Sequence, residues 1–517
     1  MIAMNTNAVV EVRNLRLKFP GEASLMFKDL SITVPEGQKV LLLGPSGCGK
    51  STLLQVLSGI IPNSIEVPLK YDEIQRSASW GFVFQDPDTQ FCMPYVDEEL
   101  AFVLENLSVP REQMKERIHQ ALASVGLLLE DPHTPIQTLS QGMKQRLALA
   151  SILLLEPDVI YLDEPTALLD PEGTVEIWNT VKSIASSKTI IIVEHKIDQI
   201  VDLVDRIVLF NHAGEIIADG VPHEIFQKNK QELVQFGIWY PEVWEDYLSS
   251  DKYQALQQQY HAELALANEL EHTREPVIRL QEFSGFHGDV RKIHVPEAVL
   301  YAGEWLAIVG SNGAGKSTFL QSLMQLLRTE GLYQIEGEQI VQTTKRIRKQ
   351  IVPSQLAFVF QNPEMQFITN SVNEEVSFSS SNVPLSGNDS NGDIQALLNK
   401  FDLAGLGERH PYQLSMGQKR RLSIASSIFG GQKIVLLDEP TFGQDARNTF
   451  AILEMIEGLR LEGAAIVMVT HDLHIVQHYA TRVWTISEGQ LIDSRLSGRG
   501  GTNGVLYTAE NNMALPC

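Results

Sequence analysis

The stretch Gly44-Pro45-Ser46-Gly47-Cys48-Gly49-Lys50-Ser51-Thr52 returns as Gly310-Ser311-Asn312-Gly313-Ala314-Gly315-Lys316-Ser317-Thr318, and each copy opens the same series of residues. After Lys50 come Gln85, Leu139-Ser140-Gln141-Gly142, Asp163-Glu164 and His195. After Lys316 come Gln361, Leu414-Ser415-Met416-Gly417, Asp438-Glu439 and His471. The two lysines stand 266 positions apart, the Ser140/Ser415 and Asp163/Asp438 pairs 275, and the Gln85/Gln361 and His195/His471 pairs 276. The chain is therefore one unit written twice, with about ten residues inserted early in the second copy. A repeat this long means duplicated domains, because arrays of small repeats have periods of about 20–50 residues.

Around these motifs the apolar pattern predicts an α/β fold. Short continuous apolar runs (Val40–Leu43, Val159–Leu162 and Thr189–Val193, then Leu306–Val309, Ile434–Leu437 and Ala464–Val469) read as parallel strands buried on both faces. Ahead of each glycine-rich loop, Val10–Leu17 and Val277–Gln281 alternate apolar with polar, as half-buried antiparallel strands do. Residues 92–145 and 367–420 carry helical periodicity and predict an appended helical subdomain in each copy. The expected division is 1–228 and 277–496 for the two domains, with an acidic, Gln-rich linker at 229–276 and a disordered Gly/Ser/Asn tail at 497–517. The linker contains good helix material from Tyr253 to Glu271. Its aromatic cluster, Trp239-Tyr240 and Trp244, is expected to pack on its own domain.

The 517 residues carry 41 Lys+Arg against 64 Asp+Glu, a net charge of −23. That surface is poorly suited to nucleic acid, whose binding depends on neutralising phosphates, and no nucleic-acid partner is expected. The three cysteines, Cys48, Cys92 and Cys517, are far apart and lack metal-ligand spacing, which fits a reducing compartment. The first residues show no basic region followed by an apolar run, so no secretory signal is expected. No stretch approaches the eighteen or more apolar residues of a membrane-spanning helix, so a membrane role would come through a partner.

The glycine-rich loops have a plain chemistry. Glycines 44, 47 and 49 let the backbone turn so that successive N–H groups converge on an anion, and the following helix presents its N-terminus to the same anion. This is the phosphate-loop pattern: Lys50 reaches the β- and γ-phosphates and Ser51 offers its hydroxyl to Mg²⁺, with Lys316 and Ser317 repeating the arrangement. Asp163-Glu164 and Asp438-Glu439 each end an apolar strand, where the Asp can hold Mg²⁺ and the Glu can orient an attacking water. The Leu-Ser-x-Gly segments lie 23 residues ahead of each Asp and precede Lys144-Gln145-Arg146 or Lys419-Arg420-Arg421. Alone, such a segment is a common helix N-cap.

At that spacing it resembles the signature sequence of ABC transporter ATPases, and the resemblance covers nearly the whole chain outside the linker and tail. It implies two P-loop NTPase domains, each with a RecA-like core, an antiparallel β subdomain and a helical subdomain. It implies ATP as substrate and Mg²⁺ as cofactor. Gln85 and Gln361 match the Q-loop and are the further metal contacts beside Ser51, Asp163, Ser317 and Asp438. Asp170 and Asp445 match the D-loop, and His195 and His471 the switch histidine. Phe19 and Phe286 fall where the family has an aromatic residue stacking on adenine. In the family two such domains pair, so that one composite site joins Lys50, Asp163, Glu164 and His195 with Ser415 and Gly417. The other joins Lys316, Asp438, Glu439 and His471 with Ser140 and Gly142.

Gln85-Asp-Pro-Asp-Thr-Gln90-Phe91 followed by Val96-Asp-Glu-Glu, and the matching Gln361–Phe367 with Val372-Asn-Glu-Glu, are similar to the ATPases of energy-coupling-factor importers. That resemblance implies an ATPase on the cytoplasmic face of the cell membrane. It would be held there by a coupling transmembrane protein and a small substrate-binding membrane protein, with thiamine or its hydroxymethylpyrimidine precursor as the solute. Glu98, Glu99, Glu374 and Glu375 are expected to receive arginines from such a partner. Two alternatives stand beside this reading: a fused sugar-importer ATPase, which usually lacks the intact second phosphate loop found here, and a soluble tandem protein acting on ribosomes, for which a basic inter-domain segment is expected where this one is acidic. The signatures depart from the family pattern: Gln141 and Met416 replace the first glycine, and Met143 replaces the glutamine. The expected result is two unequal sites, the one containing Lys316 being the weaker.

Overall fold

The computed structural model describes residues 8–22, 24–268, 275–340, 354–378, 390–497 and Arg499. The expected disordered tail, Ser497 and Arg499 apart, lies outside the described residues. Two units are present: Met1–Val243 with Asp445–Arg447, and Trp244–Gln444 with Asn448–Cys517.

In the first unit a six-stranded sheet runs in the order Ile216–Gly220, Arg206–Phe210, Lys39–Leu43, Thr189–Val193, Val159–Asp163, Trp80–Val83. All neighbours are parallel except the outermost hairpin of Arg206–Phe210 with Ile216–Gly220. Lys39–Leu43, Val159–Asp163 and Thr189–Val193 are buried nearly throughout, as strands covered on both faces must be. A second, antiparallel sheet pairs Ala8–Leu17 with Phe27–Pro35 and with the short strands Leu69–Lys70 and Glu73–Gln75. Its apolar residues Val10, Val12, Leu15 and Leu17 join the core formed by Leu53, Leu54 and Leu57 of the helix Lys50–Ser58. The helices Val96–Asn106, Arg111–Ser124 and Gln141–Leu153 form the helical subdomain.

The second unit repeats this plan, with one difference. A parallel contact between His294 and Gln490 joins the antiparallel strands to the parallel ones, giving a continuous ten-stranded sheet. The parallel part is Arg482–Ser487, Trp305–Val309, Ala465–Val469, Ile434–Asp438 and Leu356–Val359, in that order. Val372–Phe378, Ser390–Lys400 and Met416–Ile428 supply the helical part.

The inter-repeat segment is helical and packed. Trp239 and Tyr240 are buried in the first unit, with Lys196 Nζ over the Trp239 ring at 5.8 Å. Trp244 and Tyr247 are buried in the second, where the Tyr247 ring stacks on Phe450 at 3.8 Å. The helix Asp251–Asn268 adds Tyr253 and Tyr260 to the same unit. Beneath it Glu457, fully buried, accepts from both Arg460 and Arg499. Among the described residues, no helix is long and apolar enough to cross a membrane.

Candidate nucleotide sites

Each phosphate loop joins the end of a parallel strand to the start of a helix. Gly49 has φ 102° and caps the helix Lys50–Ser58; a Cβ there would stand 2.8 Å from the Phe27 ring. At Gly310 a Cβ would meet the Ile486 carbonyl oxygen at 2.1 Å, so the loop can lie against the neighbouring strand only as glycine. Lys50, 6% exposed, donates from Nζ to the carbonyls of Gly44 (2.7 Å) and Pro45 (3.0 Å). Lys316 makes the same pair of bonds, to Gly310 and Ser311, both at 2.9 Å. The ammonium is thereby held over the loop that carries it.

The acid pairs meet the loops as the sequence predicts. Ser51 Oγ donates to Asp163 Oδ1 at 2.7 Å, and Ser317 Oγ to Asp438 Oδ1 at 3.1 Å. Glu164 Oε2 accepts from Gln85 Nε2 at 3.0 Å, and its Oε1 lies 3.0 Å from His195 Nε2. In the second unit Gln361 Nε2 is 3.5 Å from Glu439 Oε2, and His471 Nε2 is 3.3 Å from Glu439 Oε1. Lysine, serine, both acids, glutamine and histidine are thus gathered at one place in each unit.

The backbone at the glutamates has no signature in the sequence. Glu164 has φ 46° and Glu439 φ 47°, in the left-handed region that non-glycine residues rarely adopt. Each is fixed there by its own N–H, which donates to the end of the adjacent strand, Val193 O at 2.9 Å or Val469 O at 3.1 Å. Also unforeseen is Glu194, fully enclosed beside His195. It accepts from Thr166 Oγ1 at 2.8 Å and from the His195 N–H at 2.9 Å. Thr470 occupies the matching position in the second repeat.

Burial dominates the electrostatics. It pushes the Asp163 carboxyl up to about 6, helped by the charge of Glu164 and opposed by the Ser51 hydrogen bond. Asp438 is raised for the same first cause. Burial would raise Glu164 too, but the His195 hydrogen bond and charge, with Lys50, outweigh it and hold Glu164 below its ordinary value. A hydroxyl and a buried carboxylate that resists carrying its charge alone are the hard oxygen donors a Mg²⁺ ion takes, so the residues present fit that cation.

Other predicted residues are placed differently. Ser140 and Ser415 are helix N-caps, accepting from Met143 N and Gln418 N, both at 3.3 Å. In the second repeat Gln418 Oε1 also accepts from Ser415 N at 3.0 Å, completing a capping box that Met143 cannot form. Asp170 is the N-cap of Pro171–Ile184. Phe19 is partly buried against the first core, and Arg328 lies over the Phe286 ring at 4.2 Å. Two of the four glutamates expected to face a partner do not. Glu99 and Glu375 are buried, and their carboxylates accept from the N–H groups of Cys92 and Met93, and of Ile368 and Thr369. Buried in their own turns, these two carboxylates are not presented to an outside arginine, whereas Glu98 and Glu374 are exposed, although Glu374 also accepts from Asn370 N at 3.2 Å.

The family model described as ABC transporter matches this chain twice, over residues 27–167 and 295–442. The chain belongs to the ABC transporter family. Among curated relatives, this ABC protein is 35% identical to the Bacillus subtilis "Putative HMP/thiamine import ATP-binding protein YkoD", over 93% of this chain and 90% of that one. It is 32% identical to a "Putative ABC transporter ATP-binding protein" of Methanosarcina mazei, over 94% and 89%. Among solved structures it resembles one in a complex of an archaeal ribosomal stalk protein with the ribosome recycling factor aABCE1, with TM-score 0.60 and 20% identity over 93% and 90% of the two chains. At that identity the likeness concerns the fold alone. The fold expected from the sequence is the one observed: a duplicated ABC ATP-binding protein with P-loop α/β cores.

Proposed function

We propose that the chain is the ATP-hydrolysing subunit of a membrane importer of the energy-coupling-factor type, with thiamine or its hydroxymethylpyrimidine precursor as solute. For the import role the carrying observation is the similarity, over 93% of this chain, to the Bacillus subtilis protein whose name refers to HMP/thiamine import. For the chemistry it is the same six-residue gathering in both units. The loop amides of 44–52 and 310–318, with Lys50 and Lys316, bind the phosphates of ATP. Mg²⁺, held by Ser51 and Asp163 or by Ser317 and Asp438 with Gln85 or Gln361 nearby, supplies charge neutralisation at the phosphates when bound. Glu164 or Glu439 orients a water for in-line attack and accepts its proton, and His195 or His471 is the switch histidine beside the γ-phosphate. Phe19 and Phe286 are assigned to adenine, and Ser140, Gly142, Ser415 and Gly417 to the phosphates of the opposite repeat's nucleotide.

Affinity purification from membranes in mild detergent, followed by identification of what is retained, tests this reading. Small integral-membrane subunits are the expected companions. Ribosomal particles in their place would transfer the chain to a soluble class of tandem ABC proteins.

A further inference from the structure

The helix Met416–Ile428 carries Lys419-Arg420-Arg421 where Gln141–Leu153 carries Lys144-Gln145-Arg146. The first position behaves alike in both: Lys144 pairs with Asp88 at 2.7 Å and Lys419 with Glu364 at 2.5 Å. The middle position does not. Arg420 is 1% exposed and donates from Nη1 to Phe360 O at 2.6 Å and from Nη2 to Gln361 O at 2.5 Å. These are adjacent carbonyls at the exit of the strand Leu356–Val359, and a planar guanidinium fork suits two acceptors side by side. Gln145, equally buried, gives the first repeat one bond, from Nε2 to Phe84 O at 3.3 Å.

Among the described residues no carboxylate lies within ion-pair distance of Arg420; Asp438 and Glu439 act on it from farther off. Enclosing a cation without a close partner is expensive, and the first repeat folds with a glutamine at the same place, so the fold does not require the arginine. Its effect falls on the Q-loop. Gln361, whose carbonyl it holds, extends its side-chain amide toward Glu439.

We infer that Arg420 is a positioning residue of the second nucleotide site: it clasps the backbone of Phe360 and Gln361, limits the travel of the Gln361 side chain relative to Glu439, and makes the two Q-loops unequal in mobility. This rests on the reading of Glu439 as the water-orienting residue. The charge-assisted bonds to Phe360 and Gln361 are the strong kind, and exchanging them for one neutral amide frees the loop without emptying the core.

The test uses the full chain in two backgrounds. In Glu164→Gln protein, where turnover reports the site of Lys316, Arg420→Gln and Arg420→Lys are compared with the parent. In Glu439→Gln protein, Gln145→Arg is the reciprocal change. Amide hydrogen exchange over 354–367 and 80–91 is read in nucleotide-free protein, and kcat and KM for Mg·ATP are measured separately. Arg420→Gln is expected to speed exchange over 354–367 about tenfold, the scale of one lost charge-assisted hydrogen bond. It should lower kcat severalfold with KM little changed, with partial recovery in Arg420→Lys; Gln145→Arg should slow exchange over 80–91. Unaltered exchange overturns the clasp, and altered exchange with unaltered kcat overturns its positioning role. Were the parent Glu164→Gln protein itself without turnover, the proposed chemistry at Glu439 would fail, while the exchange measurement would still decide whether Arg420 holds the loop.

Discussion

At the scale of single residues, the two sites turn on carboxylates held where ionisation is costly. Asp163 is 7% exposed, and its carboxyl is raised from 3.8 to about 6. A carboxyl raised in the folded state contributes stability that is complete below 3.8 and is lost as pH rises through about 6. Asp163→Asn removes the titration while keeping an acceptor for Ser51. In nucleotide-free, metal-free protein, this variant should match the parent near pH 4 and melt higher at pH 7.5. The gap is of order 1–3 kcal/mol, since one pKa unit corresponds to about 1.4 kcal/mol. Equal melting at both pH values would show that the buried charge is not a burden. The identities of these residues were legible in the sequence, because lysine, serine and the acid pair recur at fixed offsets. The left-handed backbone at Glu164 and Glu439 was not, nor were the roles of Glu194 and Arg420. Those depend on which strand end or loop carbonyl lies opposite, and a linear pattern does not carry that.

At the scale of elements, the buried parallel strands were the easiest to read, because strands covered on both faces leave continuous apolar runs. Thr189–Val193 spans the whole of its apolar run, and Ile434–Asp438 and Val159–Asp163 extend beyond theirs by the terminal aspartate alone. The packing of the inter-repeat helix was less legible, since the partners of Tyr247 and Tyr253, namely Phe450, Tyr479 and His478, lie more than 200 positions away. The signature helices bring a change of emphasis. By the family resemblance Met143 replaces a glutamine that serves the site of Lys316, whereas in this structure the matching Gln418 completes a capping box on its own helix. Met143→Gln should therefore build that box in the first repeat and stabilise it by about 0.3–1.5 kcal/mol, the usual range for such helix-end features. Chemical denaturation with a probe in the first unit measures this. No gain would mean that the difference acts on nucleotide alone. Single-turnover rates of Glu164→Gln and Glu439→Gln proteins, each with and without Met143→Gln, separate the two effects.

At the scale of the whole molecule, the chain is two ABC units written in one polypeptide, and coupling to a membrane partner is the proposed use of the duplication. The exposed Glu98 and Glu374 are the glutamates presented to such a partner, since Glu99 and Glu375 are buried in their own turns. Glu98→Lys/Glu374→Lys is expected to weaken membrane recruitment in cells co-expressing the membrane subunits, with thermal melting unchanged. Recruitment at the parent level would remove these two positions from the docking surface. The central claim is that each repeat carries a water-orienting glutamate for ATP hydrolysis. Its most direct test is Mg²⁺-dependent ATP turnover and ATP binding by the Glu164→Gln/Glu439→Gln protein beside the parent. ATP should bind as in the parent while turnover falls at least ~100-fold, the scale of positioned acid–base assistance; turnover near the parent's would contradict the account.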